Sequence, residues 1–128
     1  MMVAGIGCRR GTSAAAIETV IAAALARAGL ARGMLDVIAT AAAKCDEPGI
    51  VAAASALGVR LVLVPQADLK SVGSRTATHS QRVMSLVGVP SVAEAAALAA
   101  GGADARLVVP RIAIGPATCA LATSGATP

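Results

Sequence analysis

Phenylalanine, tyrosine and tryptophan are absent from this chain of 128 residues, and there is a single histidine. The first absence bears on function, because single-stranded nucleic acid is bound largely through aromatic platforms on which bases stack. A formal net charge of +4 without such platforms argues against RNA or DNA and for small acidic ligands. Charged residues are scarce at 14%, against 56% hydrophobic, so the core must be built from Ala, Val, Leu, Ile and Met. A chain of this length buries roughly 65–70% of its unfolded surface in a single domain. Residues 1–123 are assigned to that domain and 124–128 to a disordered tail.

Close cysteine pairs are missing too. Cys8, Cys45 and Cys119 are odd in number and widely spaced, which gives no disulfide framework and points to a reducing cytoplasm. Together with His79 they lack the close spacing of zinc ligands, so no metal site and no cofactor is expected. Nor is there a long uninterrupted apolar run. Arg9-Arg10 and Ala26-Arg27-Ala28 around an Ala-rich stretch mimic a secretory signal, but Glu18 breaks the stretch and the Arg pair follows a strand-like segment. The same residues argue against a transmembrane helix.

What is present is an alternation of strand and helix. Val3 to Gly7 is a short apolar run, and Ile17, Val20, Ile21, Ala24, Leu25 and Ala28 then recur at helical spacing. Thr12 or Ser13 caps that helix and Gly29 stops it. Leu35 to Thr40 reads as a second strand, Pro48 as the first residue of a helix ending at Gly58, and Arg60 to Val64 as a third strand. Past Pro65 the pattern weakens, with a polar loop at Ser71 to His79 suited to a lid. Thr78 with Gln81 and Ser91 with Glu94 are capping boxes, opening helices to about Val87 and to Gly101. Leu107 to Val109, Ile112 to Ile114 and Thr118 to Thr123 read as strands. The sum is an α/β, three-layer domain with helices on both faces of a mainly parallel sheet, or a mixed one where the C-terminal strands pair antiparallel.

In such a sheet, loops leaving the C-terminal ends of parallel strands share the edge where ligands bind. Two loops therefore converge, Gly7 to Thr12 and Ala41 to Pro48. Gly5-x-Gly7-x-x-x-Gly11 is one residue longer than the dinucleotide-binding pattern, and Arg10-Gly11-Thr12 lacks the lysine of a phosphate-binding P-loop. What survives is an anion site: glycines that allow close approach, amides at a helix start, and two cations. Arg9 and Arg10 oppose the helix dipole by about 0.3–1 kcal/mol each, a placement that makes sense where an anion visits. Nine of the eleven basic residues are Arg, whose planar fork matches carboxylates. The expected ligand-binding residues are Gly5, Gly7, Cys8, Arg9, Arg10, Gly11, Thr12 and Lys44. Cys8, Asp46 and Glu47 are weak catalytic candidates: Cys8 as a thiolate beside cations, the carboxylates as acid or base or simply as helix-start charges.

Three ordered stretches, Gly5-Ile-Gly-Cys-Arg-Arg-Gly-Thr12, Lys44-x-Asp46-Glu47-Pro48-Gly49 and Val87-Gly-Val-Pro-Ser-Val-Ala-Glu94-Ala-Ala, resemble the family of CobE and the C-terminal domain of CbiG. The resemblance covers nearly the whole chain. It implies a cobalamin-biosynthesis protein that binds or handles a carboxylated corrin-ring intermediate, in the oxygen-dependent (aerobic) route for the CobE form. It also implies other enzymes of that pathway as partners. CbiG itself opens a ring-A lactone and carries additional N-terminal regions, so a hydrolase related to that reaction is the alternative.

Overall fold

The alternation of apolar strands and capped helices dictates the order of the structure. The computed structural model describes residues 1–42, 47–72 and 91–124. Strand β1 (Met2–Cys8) is followed by helix α1 (Ala14–Arg27), a 3-10 turn at Arg32–Met34, β2 (Val37–Ala41), α2 (Pro48–Leu57) and β3 (Arg60–Val64). Then come α3 (Gln66–Ser71), α4 (Val92–Gly101), β4 (Arg106–Ile114) and β5 (Ala117–Thr123). The five strands form one sheet in the order β3-β2-β1-β5-β4. β1–β2 and β2–β3 pair in parallel, and β1–β5 and β5–β4 antiparallel, so the three-layer α/β fold takes its mixed form.

Helices α1 and α2 cover one face, over a core that includes Ile6, Ile17, Ile21, Ile38, Ile50 and Leu121. Helices α3 and α4 cover the other, where Val3, Leu69 and Leu98 pack among alanines such as Ala39, Ala96 and Ala122. The helix ends follow local chemistry. Ser13 is the cap of α1, its Oγ accepting from Ala16 N–H at 3.1 Å, while Gly58 closes α2 in the left-handed region at φ +69°. Ser91 Oγ accepts from Glu94 N–H at 3.3 Å to start α4.

Several elements differ from the sequence reading. Strand β2 begins at Val37, not Leu35, because Asp36 is occupied with Met2: its carboxylate accepts the Met2 amide at 2.7 Å and its own N–H donates to the Met2 carbonyl. Helix α3 has six residues and one buried side chain, Leu69, too few for a periodic signal. The two expected strands around Pro110 are one strand, β4, with register shifts on either side of Val109. Proline lacks an amide for the ladder, and β4 is an edge strand, where that loss is tolerated at a bulge. Ser124 is held by Met1, exchanging hydrogen bonds of 2.8 and 2.9 Å with it. The expected lid beyond Val72, the helix to Val87 and residues 125–128 lie outside the described residues.

One contact sets the spacing of the layers. A Cβ built on Gly5 would overlap the Ala93 carbonyl oxygen and lie 2.7 Å from the Ala97 nitrogen, so α4 rests its backbone directly on the central strand. Gly5→Ala should therefore cost about 1–3 kcal/mol through overpacking, measured as a lower urea midpoint. Gly33→Ala, which meets nothing within 4 Å, should stay within about 0.5 kcal/mol of the parent. Equal midpoints for the two variants would contradict this packing.

Candidate functional site

The carboxyl edge of β1, β2 and β3 gathers the chemistry, because each parallel strand there hands its chain to a helix start. Helices α1, α2 and α3 begin directly after β1, β2 and β3, and α4 begins there too, with Val92 3.9 Å from a Cβ built on Gly7. The turn of the β4–β5 hairpin lies at the same edge, since Ala117 pairs with Cys8 and Ile114 with Ala117.

The β1–α1 loop is tied from several sides. Arg9 N–H donates to the Pro116 carbonyl at 3.0 Å, and the Arg9 carbonyl accepts from the Thr12 amide at 3.2 Å and from Thr12 Oγ1 at 2.6 Å. Gly11 adopts φ +79°, the left-handed conformation that suits glycine, and its amide donates to Glu47 Oε2 at 3.0 Å. Gly49, in the first turn of α2, packs so tightly that a Cβ would overlap the Thr12 carbonyl oxygen. Thr12 is buried in consequence, whereas Arg9, Arg10 and Gly11 are exposed. Among the described residues neither guanidinium is in an ion pair; the pair present, Arg32 with Glu18 at 3.5 Å, joins the 3-10 turn to α1.

The expected site residues thus separate into groups. Arg9, Arg10, Gly11 and Thr12 form one loop, with Cys8 half-buried at its base. The space at Gly5 and Gly7 is filled from within the protein: α4 covers Gly5, and Thr118 Oγ1 donates to the Gly7 carbonyl at 3.1 Å. Glu47 is brought to the loop as expected, but its carboxylate is engaged with Gly11 and does not cap its own helix. Lys44, Cys45, Asp46 and His79 lie outside the described residues. Sequence reading missed Ile114 and Pro116. Ile114, 40% exposed, stands in one cross-strand row with Ala117 and Cys8 and on the same side of the sheet as Ile6, Ile112 and Cys119. The Gly115-Pro116 turn between two apolar stretches was the signal for this hairpin.

No group of three or more His, Cys, Asp or Glu is arranged to hold a metal ion among the described residues. A cavity of about 440 Å³ lies on the opposite face, between α3 and α4, lined by Asp68, Ser71, Val72, Leu98, Ala99, Gly102 and Ala103. Among the described residues its wall holds a carboxylate and no cation, the wrong polarity for an anion. Among the described residues no helix is long and apolar enough to cross a membrane.

Fold and edge together define the class: a three-layer α/β protein of mixed sheet whose helix starts and arginine-bearing glycine loop share one side. Residues 2–122 match the family described as Cobalamin synthesis G C-terminus, and the chain belongs to it. It is 40% identical over 121 residues to Protein CobE of Sinorhizobium sp, covering 94% of this chain and 79% of that protein. The crystal structure of a CobE, described as a protein from the cobalamin (vitamin B12) biosynthetic pathway, superposes with a TM-score of 0.89 at 34% identity, covering 95% of this chain and 89% of that one. The chain is also 37% identical over 100 residues to the cobalt-precorrin-5A hydrolase of Priestia megaterium, 78% of this chain but only 26% of that protein.

Cys119 lies two rows below Cys8 on the same side of the sheet, fully buried between Ile6 and Ile112, and burial pushes its thiol from 9.0 up to about 12. In the unfolded chain it ionises near 9.0. Its contribution to stability is therefore complete below pH 9 and is lost as pH rises toward 12, by about 1.4 kcal/mol per pH unit. Urea midpoints of the parent should fall between pH 9 and 11 more steeply than those of Cys119→Ala; parallel slopes would exclude this origin.

Proposed function

We propose that this protein binds a corrin-ring intermediate of cobalamin biosynthesis through the ligand's peripheral carboxylates, with Arg9 and Arg10 as the recognising pair. The observation that carries the reading is two exposed, adjacent guanidinium groups on the loop at the carboxyl edge, in no ion pair among the described residues. Arginine presents a planar fork of donors that a carboxylate meets with two hydrogen bonds.

Magnitudes determine what else the site must contain. Two charge-assisted hydrogen bonds at about 1.5–3 kcal/mol each contribute roughly 3–6 kcal/mol, and micromolar affinity requires about 8. Closing that gap takes at least about 80–200 Å² of apolar burial at 25 cal/mol per Å². Ile114 and Pro116, exposed on the hairpin to which Arg9 is tied, lie where a macrocycle face would rest while its carboxylates reach the arginines. The same chemistry accounts for a basic protein without aromatic residues: the ligand supplies the flat conjugated surface, and aliphatic groups cover it.

Cobyrinic acid, a corrin whose arms end in free carboxylates, is the direct probe, and cyanocobalamin, whose arms are amidated, is the control. A visible-absorbance titration should saturate at tens of micromolar with the first and respond weakly to the second. Arg9→Ala and Arg10→Ala should each raise Kd at least about tenfold. Arg→Lys at either position should recover only part of the loss, since a point charge lacks the fork. No response to cobyrinic acid at tens of micromolar would sink the proposal. Hydrolysis, suggested by the similarity to cobalt-precorrin-5A hydrolase, rests on about a quarter of that protein's length, and a product mass shift on incubation with a lactone-bearing corrinoid would reveal it.

A further inference from the structure

Glu47 begins α2 yet turns its side chain away from that helix. Its carboxylate, in a residue only 8% exposed, accepts the amide of Gly11 in a loop 36 residues earlier in the chain. An internal carboxylate beside a loop suited to anions has two meanings. It is either a stand-in that an incoming carboxylate displaces, or a brace that stays in place and shapes the loop.

Two observations favour the brace. Gly49 brings the backbone of α2 against the carbonyl of Thr12, so loop and helix are held together within one turn of Glu47. Displacement would also strip a buried carboxylate of this donor, which is costlier than the new hydrogen bond returns. The consequence falls on Arg9 and Arg10. Arg9 is pinned by its amide to Pro116 on one side, and Gly11 by its amide to Glu47 on the other.

We infer that Glu47 is a positioning residue: it fixes the two-arginine segment between the β4–β5 hairpin and α2, so that ligand carboxylates are read by the guanidinium forks and not by the Gly11 amide, which is already occupied. The inference rests on the proposed carboxylate recognition by Arg9 and Arg10.

The test pairs two readouts. Hydrogen exchange at the Gly11 amide, followed by NMR without ligand, reports the brace; titration with cobyrinic acid reports its effect on recognition. In Glu47→Ala the Gly11 amide should lose protection and Kd should rise at least tenfold. Glu47→Gln keeps an acceptor at the same reach, so Gly11 should stay protected and Kd should return to within about threefold of the parent. Glu47→Asp keeps the charge but falls one methylene short, and should behave like the alanine variant; with Gln it carries the test if Glu47→Ala does not fold. Parent-like binding by a folded Glu47→Asp or Glu47→Ala whose Gly11 amide is unprotected would overturn the inference. So would a tenfold loss in Glu47→Gln with Gly11 still protected, because the charge and not the brace would then matter. Failure of the parent itself to bind cobyrinic acid would instead remove the proposed function, with the Gly11 exchange still deciding whether the brace exists.

Discussion

The structure depends on the direct contact between the backbone of α4 and the central strand at Gly5. A core without aromatic rings cannot fill wide gaps between layers, so the layers must close until small residues touch. Gly5 removes the side chain that would hold α4 off, and the alanines of α4 and of β2 and β5 keep the approach close along the rest of that face. The opposite face is built differently, with isoleucines on α1, α2 and the sheet supplying many of its large buried side chains. One sheet thus carries an alanine-rich layer on one side and a layer richer in isoleucine on the other.

That asymmetry positions the candidate site. Because β1 is central, paired with β2 on one side and β5 on the other, its end at Cys8 is flanked by both the α2 start and the hairpin turn. The loop after it has fixed neighbours in both directions, Pro116 and Glu47, and only its two arginines project without protein partners among the described residues. The glycines around it have separate tasks. Gly5 admits a helix, Gly11 supplies a left-handed turn, and Gly49 lets α2 press on the loop. Within the pattern that resembles a ligand-binding glycine motif, Gly5 thus meets a packing requirement and Gly11 a turn requirement.

Much of this was legible along the chain. Elements with strong local chemistry were placed nearly to the residue: Pro48 and Gly58 bound α2, Ser91 opens α4, and Arg60 to Val64 forms β3. Elements whose identity depends on neighbours were not. Helix α3 buries one leucine and carries no period, and β4 continues past Pro110 because an edge strand absorbs the missing amide. The Arg9–Arg10 pair and its likeness to a cobalamin-biosynthesis family were equally readable, since charge type and motif order are written in the residues.

The residues themselves therefore determined the family, the three-layer α/β class, and the choice of a basic loop over a nucleotide motif, because capping chemistry, apolar period and charge act over a few positions. Only tertiary structure decided what the loop's groups face. Glu47 lies 36 residues from Gly11 and Thr118 111 from Gly7, and α4 reaches β1 across most of the chain. Such contacts follow from how the layers close, and no local rule of propensity or spacing encodes them.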